Sequence, residues 1–399
     1  MRTEVLVVGA GPAGIATAIH LRRAGREVLV IDKAAPGRDK ICGDGLTASA
    51  LRELELLGLD PTDIPSWQPV HDVVVRSPLG HRCRFPLPRG SGTYAAIARR
   101  AELDAALVQR ARAEGVEVTQ NTAMLSAVMG RKTATVELGS GRLDADYVVG
   151  ADGMWSPLRR ALGHARPGYR GDWHAFRQYF TGVSGTAATE LFISFEADLL
   201  PGYFWSFPLP GGGANVGFGI QRGHKRRIQE MGALWPDLLA RPHIRELLGP
   251  DATPETPHRA WPIPAAVDQM LSGRGRALYV GDAAAACDPM TGEGIGQALV
   301  TGRMAANAIT AAFDDPPQAQ WLYRESIEAE LVPDHRMSAL LIRALQHRKG
   351  VRVAVRVAGA TNWTRTNFAR WLFEDEPRGV LLTPRRWHRD FLGRPGAYR

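Results

Sequence analysis

Gly9-Ala10-Gly11-Pro12-Ala13-Gly14 constrains this chain more than any other segment, because it reads G-x-G-x-x-G between an apolar run and a helical pattern. Residues 4–8 read as a buried strand, 15–24 as a helix and 27–32 as the next strand, a complete βαβ unit. In such a unit the first glycine makes the turn, the second lets backbone approach a pyrophosphate, and the third lets helix and strand pack closely. Asp32 closes the second strand eighteen residues after Gly14, where a ribose hydroxyl needs an acceptor. An acidic residue there favours an unphosphorylated ribose, hence FAD or NAD over NADP. Dinucleotide contacts are expected at Gly9, Gly11, Ala13, Gly14, Asp32 and Lys33.

With 399 residues the chain exceeds the usual span of one core, and its pattern divides it into interleaved parts. Apolar spacing is helical over 93–115, then strand-like over 116–119, 123–129 and 133–138, with Gly130-Arg131 at a hairpin tip. A short apolar strand at 146–150 resumes the first sheet. Between Trp173 and Phe218 lie eleven of the thirty aromatics, in alternating runs split by glycines, which predicts a mostly antiparallel sheet. A late strand at 277–280 and a small-residue helix at 294–313, ended by Pro316-Pro317, complete the first unit. The expected fold class is α/β: a Rossmann-type dinucleotide-binding domain (1–68, 92–165 and 273–330) interleaved with a β-sheet substrate domain (69–91 and 166–272). C-terminal helices with a basic tail follow over 331–399.

Tyr203-Phe204-Trp205-Ser206-Phe207-Pro208 lies inside the aromatic-rich region. Side chains alternate across a strand, so Tyr203, Trp205 and Phe207 share one face while Phe204 and Ser206 share the other. The first set predicts an aromatic substrate wall, with Phe218 expected to join it.

The three cysteines, Cys42, Cys83 and Cys287, show no CxxC spacing, so neither a disulfide framework nor a metal site is indicated. No run approaches the ~18 apolar residues that cross a bilayer. The glycines near the N-terminus fit a strand-turn-helix better than a signal peptide, and a cytoplasmic location is expected. The net charge is +8, and residues 343–399 alone hold thirteen Lys and Arg against four Asp and Glu. That tail lacks any nucleic-acid-binding motif. It suits an anionic membrane surface, at the inner face of the cell membrane, or a diphosphate ligand.

Tyr279-Val280-Gly281-Asp282-Ala283, followed by Asp288-Pro289 and Gly292-Glu293-Gly294-Ile295, resembles the FAD-binding half of flavin monooxygenases and reductases. Asp282 would accept from a ribityl hydroxyl, and a helix starting near Gly294 would aim free N–H groups at the flavin. Gly150-Ala151-Asp152-Gly153 resembles the Asp-Gly motif of such proteins, and Arg100 matches their FAD-contacting arginine. Together with Lys40-Ile41-Cys42-Gly43-Asp44-Gly45, Tyr203 to Pro208, Asn215-Val216-Gly217 and Trp371 to Asp375, these segments resemble the geranylgeranyl reductase family over nearly the whole chain. One departure is Leu200 where the family often has proline, with Pro201 following it.

The resemblance implies a fold similar to p-hydroxybenzoate hydroxylase and FAD-dependent reduction of isoprenoid double bonds. The electron donor would be NAD(P)H, another reductant or an electron-donor protein. It implies cofactor contacts from Cys42, Gly43, Arg100, Asp152, Gly281, Asp282, Pro289, Gly292, Gly294 and Ile295. Catalytic roles are expected for Cys42, whose thiolate Lys40 would favour, and for Tyr203 and Trp205. Each buried CH₂ contributes about 0.8 kcal/mol, so roughly twenty prenyl carbons offer about 16 kcal/mol before ordering costs. Micromolar affinity needs about half of that.

A monooxygenase or halogenase of the same fold is the competing expectation, since Tyr203 to Pro208 loosely echoes a halogenase motif. The lysines available for halogenase chemistry are Lys33, Lys40, Lys132, Lys225 and Lys349, none in an obvious halogenase context. Prenyl-binding escort proteins of similar fold carry no flavin, and the intact Gly11, Gly14, Asp32 and Asp282 argue against that role.

Overall fold

The computed structural model describes residues 1–223, 227–380, 383–387 and 393–399. Lys225, and Arg389 and Asp390 of the basic tail, lie outside the described residues. At the centre of the first sheet, strand Arg2–Val8 pairs in parallel with Gly141–Gly150 on one side and Val28–Ile31 on the other. Ala277–Tyr279 and Glu117–Thr119 extend it in parallel, so residues far apart in sequence complete one sheet. Val5, Leu6 and Val7 are wholly buried, as expected where helices cover both faces of a parallel sheet.

Helices Pro12–Arg23 and Ile295–Ala311 pack face to face on this sheet. A Cβ on Gly302 would lie 2.5 Å from the Ala13 carbonyl oxygen, so the small residues of both helices allow this close approach. Pro316 does not merely end the preceding helix: it opens the next, Pro316–Glu330, at a position where its missing N–H costs nothing. The expected helix over 93–115 is shorter, Arg100–Ala113. Its first part is instead the strand Ala95–Ile97, whose residues are fully buried between Gly45–Thr47 and Gln68–Pro69. A run without a polar face suits a covered strand better than a surface helix.

The second sheet is antiparallel except where Leu191–Ser194 runs parallel to Asp72–Arg76. Phe204–Leu209 pairs with Gly213–Gln221 in a register that sets Trp205 against Gly217 and Phe207 against Asn215. The C-terminal helices Val332–Leu345, Arg348–Ala358 and Asn362–Leu372 follow, the last packing on strand Arg82–Pro86 of the second sheet. Val351, Val355 and Ala358 recur at helical spacing and are buried, which seats the second of these helices. A capping box at Thr361 starts the third, with Thr361 Oγ1 accepting from Thr364 N at 3.1 Å. The α/β architecture, with interleaved dinucleotide and antiparallel sheets and C-terminal helices, is the one the sequence predicts.

Candidate active site

The cofactor turn follows from backbone sterics. Gly9 has φ +112°, and a Cβ there would sit 2.3 Å from the Ala151 carbonyl oxygen, so only glycine fits. Gly11 caps the helix with no side-chain partner and Pro12 takes the first helical position, leaving the first-turn amides to an anion in the adjoining cavity. The two Asp32 oxygens accept from Ala10 N and Ala34 N, each at 2.7 Å, fixing the carboxylate at the end of its strand. Gly14 is a packing residue outside the cavity: a Cβ on it would meet the Gly9 oxygen at 1.9 Å.

A single cavity of about 600 Å³ runs from this turn to the C-terminal helices. At the turn end it is bordered by Gly9, Gly11, Ala13, Asp32 and Lys33. Its middle meets Arg100, Asp152, Gly281, Asp282, Gly292, Gly294 and Ile295, with Cys42 and Gly43 alongside. Tyr203, Trp205 and Phe207 form one wall, and Leu345, Val351, Val355, Phe368 and Trp371 close the far end. The structure thus brings most of the expected residues together. Pro289 is buried outside this lining. Phe218 is likewise elsewhere: it pairs opposite Phe204, on the sheet face away from Trp205, and stacks on Phe176 and Trp235 in a separate core. The strand parity that placed Trp205 in the wall excludes Phe218 from it.

Asp152 carries a test of the cofactor. Its Oδ2 accepts from Leu158 N at 2.9 Å, while Oδ1 is buried without a partner among the described residues. A buried acceptor beside a glycine turn, a bare helix N-terminus and Asp282 together match the hydroxyls and pyrophosphate of FAD. Asp282 holds Lys40 at 3.3 Å and accepts from Cys287 Sγ at 3.3 Å, and its carboxyl lies below the usual range although burial opposes this, because Lys40 and Cys287 favour the anion. Lys40 also sits 4.3 Å from the Trp261 ring centre, so it is committed to Asp282 and Trp261 rather than to Cys42. The thiolate expected at Cys42 is therefore not favoured: burial pushes the thiol up, with nearby Arg100 opposing.

Behind Cys42 lies a polar network whose Asp44 and Asn215 stand in the sequence motifs without any link between them being legible there. Asp44 adopts φ +65° and is fully buried. It accepts from Tyr179 OH at 2.6 Å, from Asn215 Nδ2 at 2.8 Å and from Arg100 N at 3.3 Å. Asn215 Nδ2 also donates to the Cys42 carbonyl at 2.9 Å, and its Oδ1 accepts from Trp205 Nε1 at 3.1 Å. The amide is fully used, which fixes its orientation and ties the aromatic wall to the Cys42 segment. Burial raises Asp44 to about 6 despite these donors. Gly43 and Gly45 let the segment lie flat on the wall: Cβ atoms there would come within 3.4 and 3.2 Å of the Phe207 ring.

Beneath the Ile295–Ala311 helix, Arg378 lies 3.2 Å from Asp288 and 3.3 Å from Glu374. Glu293 lies near enough to feel the same guanidinium and borders the cavity, and burial pushes Glu293 and Glu374 up. Glu293 Oε1 accepts from Gly296 N at 2.6 Å, so the helix N-terminus expected to face the flavin bare is partly capped by its own chain. Tyr203 OH donates to the Thr291 carbonyl, anchoring the wall to the same turn. Only position-specific pairing could have revealed this cluster, since its members span residues 288–378.

The FAD binding domain family model matches residues 2–314. A menaquinone reductase of Mycolicibacterium smegmatis is 33% identical over 344 residues, covering 80% of this chain and 79% of that protein. The digeranylgeranylglycerophospholipid reductase 2 of Methanopyrus kandleri is 32% identical, covering 81% of each chain. The chain belongs to the geranylgeranyl reductase family of FAD-dependent oxidoreductases. A geranylgeranyl bacteriochlorophyll reductase-like protein of Thermoplasma acidophilum shares the fold with TM-score 0.80 and 21% identity, covering 97% of this chain and 99% of that one. A halogenase in complex with FAD also shares it, with TM-score 0.71 and 17% identity over 95% of this chain and 87% of that one. FAD is the cofactor of this reductase family, and the residues around the glycine turn fit it.

Proposed function

We propose that this reductase hydrogenates carbon–carbon double bonds in the prenyl chain of a quinone or lipid. The observation that carries the reading is the continuity of the cavity from the dinucleotide turn, past Cys42 and Gly43, along the aromatic wall to an apolar end. Reduced FAD, when bound, supplies a hydride. The chain supplies the rest. Tyr203, Trp205 and Phe207 bind and orient an apolar chain, and Leu345, Val351 and Val355 exclude water around it. Cys42 Sγ, kept as a thiol by burial, holds the proton for the second carbon, and the Arg100 guanidinium beside it stabilises the sulfur once that proton has left. Hydride plus proton saturate one double bond, and NAD(P)H or an electron-donor protein restores the reductant.

The relatives named for menaquinone support a prenylated quinone, and those named for a geranylgeranyl phospholipid support a prenyl lipid. Of the two lysines that line the cavity Lys40 is the less exposed, and its engagement with Asp282 counts against halogenase chemistry. Anaerobic addition of a prenylated quinol, whose head group is already reduced and cannot take electrons from the flavin, to enzyme reduced with one equivalent of dithionite should restore the oxidised flavin spectrum. Equal reoxidation by a quinol with a fully saturated tail, or none by the prenylated one, would overturn prenyl reduction.

The membrane reading of the tail narrows to one helix. Arg370, Arg378 and Arg386 are tied internally to Asp375, to Asp288 and Glu374, and to Asp334. The densest run of outward charge is Arg348, Lys349, Arg352 and Arg356 on the Arg348–Ala358 helix, beside exposed Val353 and Val357. No helix of the described residues is long and apolar enough to cross a membrane. This basic and apolar face, whose reverse borders the cavity, supports reversible attachment to an anionic leaflet, with the prenyl chain entering from it.

A further inference from the structure

The Arg348–Ala358 helix also borders a second pocket, of about 510 Å³, on the side away from the substrate cavity. Arg352 and Arg356, one helical turn apart, meet Arg365 and His81 there, while Arg82 and Arg84 border it from strand Arg82–Pro86, whose alternation turns their side chains to the opposite face from Cys83. None of the residues lining it is acidic. Arg84 is neutralised outside it by Glu190, and Arg82 reaches Glu246 only at 3.7 Å between exposed side chains. Arg352 and Arg356 make no ion pair among the described residues. The guanidinium groups of Arg352, Arg356 and Arg365, which border the pocket without an ion pair among the described residues, repel one another unless an anion joins them.

A second, independent observation lies at the base. Ser77 borders the pocket and is fully buried, and its hydroxyl has no hydrogen-bond partner among the described residues. A buried hydroxyl without a partner costs free energy that an acceptor arriving in the pocket would recover. Arginine forks and a hydroxyl donor are the groups that recognise phosphate oxygens.

We propose that this pocket binds a phosphate or diphosphate group, a site separate from the flavin and substrate cavity. The group could come from two sources of the same chemistry: the headgroup of an anionic phospholipid or a free diphosphate. The lipid source rests on the membrane reading above, while anion binding itself does not. Exposed Leu79 at the rim and Val353 and Val357 on the same helix favour the lipid source.

The test uses the FAD-loaded full chain in two arms. One titrates inorganic pyrophosphate calorimetrically, and the other sediments the protein with phosphatidylcholine vesicles with or without phosphatidylglycerol. The pocket pair Arg352→Ala/Arg356→Ala is compared with Arg348→Ala/Lys349→Ala, which removes equal charge from the same helix outside the pocket. The pocket pair should weaken binding by about tenfold or more in the arm that detects it, since each lost contact is a charge-assisted hydrogen bond, while the control pair changes pyrophosphate binding by less than about threefold and, as part of the basic face, weakens vesicle binding but by less than the pocket pair does. Ser77→Ala should weaken it by about threefold with unchanged melting temperature and FAD content. Pocket-dependent binding in the vesicle arm alone identifies a lipid headgroup, and in the pyrophosphate arm alone a soluble ligand. Both support the site. Equal losses from the two pairs, or no binding in either arm, would overturn it. Reduction of a detergent-solubilised prenylated quinone by the same variants should stay at the wild-type rate, so failure of the anion site and failure of the reductase reading are separable.

Discussion

Replacing Trp205 by Phe removes one hydrogen-bond donor while keeping most of an aromatic ring, and the network behind Cys42 makes its effect predictable. The indole is 7% exposed, and its Nε1 is the donor to Asn215 Oδ1 at 3.1 Å. Both hydrogens of Asn215 Nδ2 are already committed, to the Cys42 carbonyl and to Asp44. Trp205→Phe leaves a buried amide oxygen without a partner, at a cost of about 1–3 kcal/mol, which the amide can relieve only by releasing the Cys42 segment. Trp205→Ala adds a cavity over Gly217, whose own Cβ would meet the ring at 2.3 Å, raising the loss to about 3–5 kcal/mol. Urea unfolding should rank the stabilities wild type, Phe, Ala. In single-turnover reduction of a prenylated quinone, Trp205→Phe should keep FAD yet slow the reaction by about tenfold or more, because about 1.4 kcal/mol of misplacement at Cys42 suffices. A Phe variant as fast as wild type would refute the coupling of wall to thiol through Asn215.

Three further outcomes follow from the same geometry. Asp282→Ala should lower FAD occupancy after dialysis, by about 1–3 kcal/mol in affinity, because it removes a cofactor acceptor and leaves Lys40 without its ion pair. Full occupancy would contradict the assignment. Cys42→Ser should retain the flavin spectrum while slowing turnover, as a hydroxyl holds its proton more tightly than a thiol, and unchanged single-turnover rates would return Cys42 to packing. Asp44 binds its proton more tightly folded than unfolded, so its contribution to stability is complete below its unfolded pKa and declines as pH rises through about 6. The stability of wild type relative to Asp44→Asn should therefore be greater at pH 4.5 than at pH 7.5, by about 2 kcal/mol. A difference that does not vary with pH would contradict a buried titrating carboxyl.

The parts of the structure legible in sequence are those governed by local rules. The glycine turn is dictated by backbone sterics at Gly9, the parallel strands by uninterrupted apolar runs, and the aromatic wall by strand parity at Tyr203, Trp205 and Phe207. Phe218 was misassigned because parity within one strand says nothing until the register with its neighbour is known, and that register sets it opposite Phe204. Long-range charge pairing was equally hidden. Lys40 lies two residues from Cys42 yet is held by Asp282, 242 residues away, and three tail arginines that read as surface charge are ion-paired to carboxylates of the fold. The C-terminal helices read as a basic region, whereas Val351 and Val355 turn the apolar face of one of them into the end wall of the cavity.

Product mass after anaerobic turnover tests the central claim most directly. Dithionite-reduced, FAD-loaded enzyme is incubated without oxygen with a prenylated quinone, the mixture is then exposed to air to reoxidise any quinol, and the quinone is analysed by mass spectrometry. Saturation of a prenyl double bond predicts a product two mass units heavier that survives the reoxidation, with fragmentation placing both hydrogens in the tail. An unchanged mass after reoxidation, or a product sixteen units heavier that forms only when oxygen is present during turnover, would contradict it.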